Sequence, residues 1–505
     1  MNIAQLALKN LEVGEHVSYV FEDREITNVQ MDRAARRFGN ALKKLGVSRG
    51  DRVIMQMPNC PEVFQAFQAI WRIGAIALPI NYLVGQEEIN FIYRDSGVHT
   101  VITSPEYLDK VRTAQNQSGT VRNIIMVADR EVEGTHSFGK IVRESSDDLE
   151  MVETGDDDIA AIIYTSGTTG TPKGVMLTHA GLAFSAYRQQ ETTRLPQDLV
   201  SLAMLPLCHS FGVAMMNGSF LRLKGKVIIM RQFNLEQVFA NIDRYKVQSV
   251  PIVPTMLVYM LMFPDHAKYN IRSVKHWVCG SAPLSLDTWK QFRDKFGMEI
   301  AEGWGLTEAG ANNSTNVGLT VIKPGSIGKP MKGMEMKVFD NNDREVPQGQ
   351  DGEIVLRGPM VMKGYWNMPE ATAEVIRDGW LHTGDIGYVD ADGYFYITDR
   401  KKDIIIKGGE NISPRVIEEV LYAHPSVAEA SVIGVRDKVY GEDIKAFVTL
   451  KAGQSVTDEE IMEHCRGKLK KFFVPKEVVI LKAMPKTLVG KILKKELRKM
   501  KTTLP

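Results

Sequence analysis

Between residues 27 and 46, apolar side chains recur at helical spacing. Ala34, Phe38, Ala41 and Leu45 share one face, Thr27 and Gln30 stand at the separation of a capping box, and Gly46 supplies a stop. The run Asp51-Arg-Val-Ile-Met-Gln-Met57 reads as a strand, residues 61–73 as a helix and residues 75–80 as another strand. Strands alternating with helices predict an α/β fold of parallel layers in the N-terminal part of the chain.

From about residue 325 to 399 the texture changes. Short strand-like runs at 335–340, 353–357 and 394–397 are separated by Gly, Asn and Asp turns, the pattern of a small, mostly antiparallel β subdomain. After Asp399, Ser413 is expected to cap a helix with Pro414 in its first turn. Thr457 and Glu460 form a second capping box, followed by Ile461, Cys465 and Leu469 on one helical face. The last hundred residues therefore read as a small α+β unit, and the charged junction Asp399-Arg-Lys-Lys-Asp403 as an exposed linker. The domain division expected is 1–401 and 402–505.

Composition narrows the class. A chain of 505 residues exceeds what one core organises, which supports more than one domain. The 62 basic and 61 acidic residues nearly cancel, so charge gives no reason to expect nucleic acid or an anionic membrane as main partner. Four scattered cysteines carry no metal-ligand or disulfide spacing, which suits a reducing cytosol. Lys9, Glu12 and Glu15 interrupt the N-terminus before any signal-peptide core, and the apolar stretch at 64–80 contains Gln65, Gln68 and Arg72. A cytoplasmic protein without an integral membrane segment is expected.

The strongest local signal is Tyr164-Thr-Ser-Gly-Thr-Thr-Gly-Thr-Pro-Lys-Gly174, entered from an apolar strand and left toward a helix near His179. Glycines let backbone N–H groups turn inward and the hydroxyls add donors, making an anion nest fit for polyphosphate; the Gly-Lys-Ser/Thr ending of a Walker A loop is absent. Gly303-Trp-Gly-Leu-Thr-Glu-Ala-Gly310 joins an aromatic platform, a hydroxyl and a carboxylate able to hold Mg²⁺, yet taken alone it reads equally as a Gly-rich turn with a core tryptophan. Trp380-Leu-His-Thr-Gly-Asp385 by itself is an ordinary turn aspartate. Lys491 follows Gly490 at the mouth of a lysine-rich terminal helix whose other lysines read as a solvated face.

Together these segments, with Gly280-Ser-Ala-Pro-Leu284 and the run Asp399–Pro414, resemble the adenylate-forming superfamily of acyl-CoA synthetases, luciferases and peptide-synthetase adenylation domains over essentially the whole chain. The resemblance implies a mobile C-terminal domain and an AMP-forming acyl-CoA synthetase using ATP, Mg²⁺ and coenzyme A. It places the phosphate loop at Thr165, Ser166, Gly167, Thr168, Thr169 and Lys173. It puts the adenine pocket at Gly280, Ser281, Ala282, Pro283, Gly303 and Trp304, with Ile397 as an apolar contact and Glu302 and Gly305 in the same nucleotide-binding stretch. Thr307 would touch the α-phosphate, Glu308 would bind Mg²⁺, and Asp385 with Arg400 would receive the ribose. Lys491 would serve the adenylation step, Lys402 the hinge, and Lys407, Gly408 and Gly409 the coenzyme A tunnel. Two departures stand out: Trp304 where tyrosine is commoner, and Val416 where a glutamate is usual.

The stretch 203–216 contains no Asp, Glu, Arg or Lys and resembles the family's acyl-pocket gate, so an amino acid or dicarboxylate substrate is disfavoured. An apolar wall of His209, Phe211, Val213 and Met215 with Val253-Pro254 opposite is expected, and methionines leave medium- or long-chain, alicyclic and aromatic monocarboxylates all open. His209 reads equally as a wall residue or a gate. The rival readings are a ligase loading a carrier protein, a luciferase-like oxidase and an inactive nucleotide-binding regulator. A monomer and a homodimer are both compatible with the sequence.

Overall fold

A computed structural model describes residues 1–128, 132–165, 171–487 and 490–500. Two large sheets organise its N-terminal part. In the first, the strands Ile76–Pro79, Arg52–Gln56, Thr100–Thr103 and Asn123–Met126 run parallel side by side. The second places Ile300–Trp304, His276–Cys279, Ser249–Ile252, Val200–Ala203, Lys226–Ile229 and Val17–Phe21 in a parallel series.

Strand residues alternate between cores on the two faces. Val53, Met55 and Ala77 of the first sheet and Ala203, Val227 and Ile229 of the second point into one shared core. The helices Pro61–Arg72, His179–Thr193 and Ser210–Phe220 contribute to that core from between the sheets. Ile54, Ile76 and Leu78 face an outer core closed by Gln86–Ser96 and Leu108–Ser118. Leu202, Ile228 and Ile252 face another, closed by Leu235–Tyr245, Pro254–Met262 and Leu286–Phe296. Covering helices on both faces explain why these strands are apolar on both sides.

The α/β layers, the antiparallel subdomain and the terminal α+β unit all follow the sequence pattern. The predicted helices appear as Asn28–Lys44 and Pro61–Arg72, and both capping boxes, at Thr27 and Thr457, are made reciprocally. Strands Glu335–Phe339, Gly352–Arg357, Trp380–Val389 and Phe395–Arg400 form the antiparallel subdomain. The chain leaves that sheet at Arg400 and enters the terminal one at Ile405, where Ile405–Lys407, Glu410–Ile412, Val427–Asp437, Gly441–Leu450 and Glu477–Ile480 surround a separate core.

The side-chain cap expected at Ser413 is not made. Ser413 occupies the N-cap position of Pro414–Tyr422 but makes no cap hydrogen bond with its side chain. Its hydroxyl instead donates to the Thr398 carbonyl (3.0 Å) and to the Asp399 carboxylate (2.6 Å), binding the helix start to the preceding strand. The chain reversal at 400–403 brings both oxygens within reach, and the hydroxyl oriented toward them makes no bond to the free N–H groups of the helix start.

Candidate active site

A cavity of about 1180 Å³ opens where the two large sheets, the β subdomain and the terminal unit meet. Among the described residues its lining includes Lys173, Arg377, Arg400, Lys401, Lys402, Lys486, Lys491 and Lys495 against Glu88, Glu308, Glu353, Glu374 and Glu496. Cations outnumber carboxylates there by eight to five, in a protein whose formal net charge is only +1. Low-dielectric walls concentrate that field, so the cavity suits a polyanion.

The strand Ile159–Thr165 delivers Thr165 to the lining, and its antiparallel partner Lys173–Thr178 returns Lys173 beside it. The sequence pattern had marked only strand, loop and helix; this return strand went unread because its six residues sit between a Gly-rich loop and the helix. Ser166, Gly167, Thr168 and Thr169 lie outside the described residues. The strand Ile300–Trp304 and the short turn Thr307–Ala309 carry Gly303, Trp304, Gly305, Thr307 and Glu308 to the same cavity. Gly305 is required by crowding: a Cβ there would stand 2.1 Å from the Ala311 carbonyl oxygen.

Polar contacts orient these groups. Thr307 donates its hydroxyl to Ser210 Oγ at 3.0 Å. Glu308 Oε1 accepts from the Tyr365 hydroxyl at 3.0 Å, and the Lys173 ammonium lies 4.8 Å from the Tyr365 ring centroid. Tyr365 thus links the candidate phosphate and metal groups, and the sequence reading missed it. Its only local sign is the Gly364-Tyr-Trp run; the contact spans 57 residues. Among the described residues no cluster of three or more His, Cys, Asp or Glu could hold a metal. A single carboxylate beside a phosphate site is the donor set Mg²⁺ uses when phosphate oxygens and water complete its shell, and Glu308 fits that role.

Lys491 reaches the cavity from the terminal unit. Burial and the Arg400 charge draw its ammonium down to about 7, while Asp385 acts in the opposite direction. The approach requires Gly490, which has φ +75° and whose Cβ would meet Thr255 Oγ1 at 2.3 Å. His209 caps the helix Ser210–Phe220 by accepting the Phe211 N–H at 3.3 Å, and burial beside Lys491 holds its imidazole down at about 4. At that value it is neutral at ordinary pH and free to accept at the helix cap.

Several predicted positions stand off the lining. Glu302 does not line the cavity: its carboxylate accepts backbone N–H groups of Gly325 (2.8 Å) and Leu284, and burial pushes it up to about 7. Val213 and Val253 are buried in hydrophobic cores, and Met215 and Ile397 pack against one, because these positions turn inward from their helix, loop or strand. His209, Phe211, Gly280 and Ser281 line the cavity, whereas Ala282, Pro283 and Pro254 do not. Asp385 is buried directly behind the wall, hydrogen-bonded to Trp304 and ion-paired with Arg400, which line it. Lys402 lines the mouth, while Lys407 is ion-paired with Asp443 at 2.6 Å inside the terminal unit. Gly408 and Gly409, at φ +55° and +85°, form the turn between Ile405–Lys407 and Glu410–Ile412, away from the cavity in this arrangement.

Known proteins resemble this architecture along nearly its whole length. Residues 9–366 match the sequence profile of the AMP-binding enzymes, and residues 416–491 match the C-terminal domain of the AMP-binding enzymes. A long-chain-fatty-acid–CoA ligase of Bacillus subtilis (strain 168) is 34% identical over 90% of this chain and 87% of its own. A feruloyl-CoA synthase of Amycolatopsis sp is 35% identical over 94% of both chains. Among solved structures, an anthranilate CoA ligase in complex with anthranoyl-AMP superposes with a TM-score of 0.92 at 29% identity, covering 99% of this chain and 96% of that one. ATP-bound MatB from Rhodopseudomonas palustris gives a TM-score of 0.90 at 30% identity, with 99% of each chain covered. Sequence profile, relatives and fold agree: the chain belongs to the AMP-binding enzyme family.

Proposed function

We infer that the protein is an AMP-forming acid–thiol ligase. A carboxylate attacks the α-phosphorus of ATP, forming acyl-AMP and releasing pyrophosphate; the coenzyme A thiol then attacks the acyl carbonyl, giving a thioester and releasing AMP. The carrying observation is that Lys491 meets Lys173, Thr307 and Glu308 around one cation-rich cavity.

Bringing a carboxylate to a phosphate opposes like charges, and the repulsion must be offset before a bond forms. Lys173 and Lys491 supply positive charge, Thr307 would turn its hydroxyl from Ser210 to donate to the transferring phosphate, and Tyr365 holds Glu308 in orientation. Mg²⁺, when held at Glu308, would add charge neutralisation at the phosphate oxygens. The carboxylate is already the nucleophile, so no general base is needed and catalysis is positioning plus charge stabilisation. Asp385 is assigned to the ribose hydroxyls, and Lys402 to the hinge on which the terminal unit would turn to bring Gly408 and Gly409 toward the thiol.

For the acid, an apolar monocarboxylate is favoured. His209 is held neutral, Phe211 stands beside Gly280, and the run from 203 to 216 offers no charged side chain to an ammonium or a second carboxylate. The test is a panel of aliphatic, alicyclic and aromatic acids with ATP, Mg²⁺ and coenzyme A. Pyrophosphate release and coenzyme A-dependent AMP formation are expected with apolar members; absence of pyrophosphate with every acid rejects the reading.

A further inference from the structure

Asp385 is only 1% exposed, and its carboxylate is gripped from two separate parts of the fold. Oδ2 accepts the indole N–H of Trp304 at 2.9 Å, and Oδ1 is ion-paired with the Arg400 guanidinium, 2.7 Å from Nε. Trp304 ends a strand of the nine-stranded sheet, whereas Asp385 and Arg400 stand opposite one another on adjacent strands of the β subdomain. The indole bond therefore joins two sheets across 81 residues of sequence.

An aspartate carboxylate turns easily about its terminal torsion, which is broad and roughly two-fold. A hydrogen-bond donor on one oxygen and a guanidinium against the other remove that freedom. Each oxygen keeps a further lone pair, so the group still offers one acceptor site per oxygen in a set plane. A vicinal pair of hydroxyls is matched by such a pair of acceptors. Trp304, Gly384 and Arg400 around it all line the cavity, and the Asp385 charge is felt at Lys491.

We propose that Trp304 is a positioning residue whose indole N–H holds Asp385 in the plane that receives the two ribose hydroxyls, so that selectivity for a ribonucleotide over a deoxynucleotide depends on Trp304. The proposal rests on the assignment of Asp385 to the ribose. It separates two roles of one side chain: the ring faces the cavity, and the N–H acts through Asp385.

The decisive variant removes the donor and keeps the ring. Replacing Trp304 with 3-benzothienylalanine exchanges N–H for sulfur in a bicycle of nearly the same shape; Trp304→Phe is the encoded companion. ATP–pyrophosphate exchange is measured with an acid that the wild type accepts, comparing kcat/KM for ATP, 2′-deoxy-ATP and 3′-deoxy-ATP. In the benzothienyl protein kcat/KM for ATP should fall by about tenfold, the scale of one lost hydrogen bond to a charged group. The deoxy analogues should change by less than about twofold, collapsing the selectivity ratio. Trp304→Phe should lower all three, ATP most. Equal losses for all three nucleotides would make Trp304 a stacking residue only and overturn the proposal. Unchanged ATP kinetics would overturn it too, and improved kinetics would show that the indole blocks a hydroxyl's place. A wild type that gives no exchange with any acid would instead remove the proposed function itself.

Discussion

Burial and the Arg400 guanidinium draw the Lys491 ammonium down to about 7, against the support of Asp385. Charge at this position is therefore present below that pH in the free protein and lost above it. On the role proposed for Lys491, the ammonium is the form that stabilises the transferring phosphate, so kcat/KM for ATP in pyrophosphate exchange should fall as pH rises through about 7. Lys491→Arg keeps the charge at all accessible pH values and should flatten that limb. Lys491→Ala should lower the exchange rate by roughly 10²–10³, the scale of one preorganised donor. A wild-type profile level from pH 6 to 9 would contradict the assignment.

At the scale of elements, the loop bearing Lys491 and the helix His179–Thr193 make opposite demands. Gly490 sits in the left-handed region with Thr255 where a Cβ would go, so the loop can seat only a glycine there. Gly490→Ala should lose pyrophosphate exchange while still converting supplied acyl-AMP to thioester, because only the first step needs Lys491 docked. Equal loss of both steps would place the fault in folding instead. His179, the first residue of its helix, is 1% exposed and accepts the Ile3 N–H at 3.2 Å. Burial holds its imidazole at about 4, below the 6.5 of the unfolded chain. Between those values the unfolded state binds more protons, so stability present at neutral pH is lost as pH falls through that window. Acidification to pH 4.5 should remove on the order of 1–3 kcal/mol on this account. Thermal melting of His179→Asn, which retains an acceptor for Ile3, should show a shallower decline than wild type.

Across the whole molecule, the terminal unit is held in place by contacts on both sides of the 400–405 crossing. Ser413 and Arg415 bond the carbonyls of Thr398 and Ile397, Glu419 accepts the Leu286 N–H at 3.4 Å, and Lys486 donates to the Tyr259 hydroxyl at 3.2 Å. These seat Lys491 in the cavity and leave Gly408 and Gly409 outside it. On the proposed mechanism Lys491 serves the first step and Gly408 and Gly409 the second, which calls for rotation near Lys402. Proline at 402 fixes φ near −65° and restricts the residue before it. Lys402→Pro should therefore retain pyrophosphate exchange and lose thioester formation by at least about tenfold, as a blocked conformational step would. Loss of both half-reactions would shift the hinge elsewhere. Among the described residues no helix is long and apolar enough to cross a membrane.

Short-range chemistry was enough to read much of this architecture. The capping boxes at Thr27 and Thr457, the strand expected at 159–164 and the strand-and-turn pattern of the β subdomain depend on neighbours a few residues apart, where residue type and spacing constrain the backbone directly. The roles of Thr307, Glu308 and Lys491 came from resemblance, the one local sign at Lys491 being the glycine directly before it. Partners remote in sequence decided the rest. Tyr365 on Glu308, Trp304 on Asp385 and Ser413 on Asp399 are meetings of separate strands and turns, and packing chose them. The same holds for Glu302, whose motif position suggested a nucleotide while the fold brought backbone N–H groups to its carboxylate first. A buried charge takes whatever donor the tertiary structure presents, and no pattern along the chain encodes which one that will be.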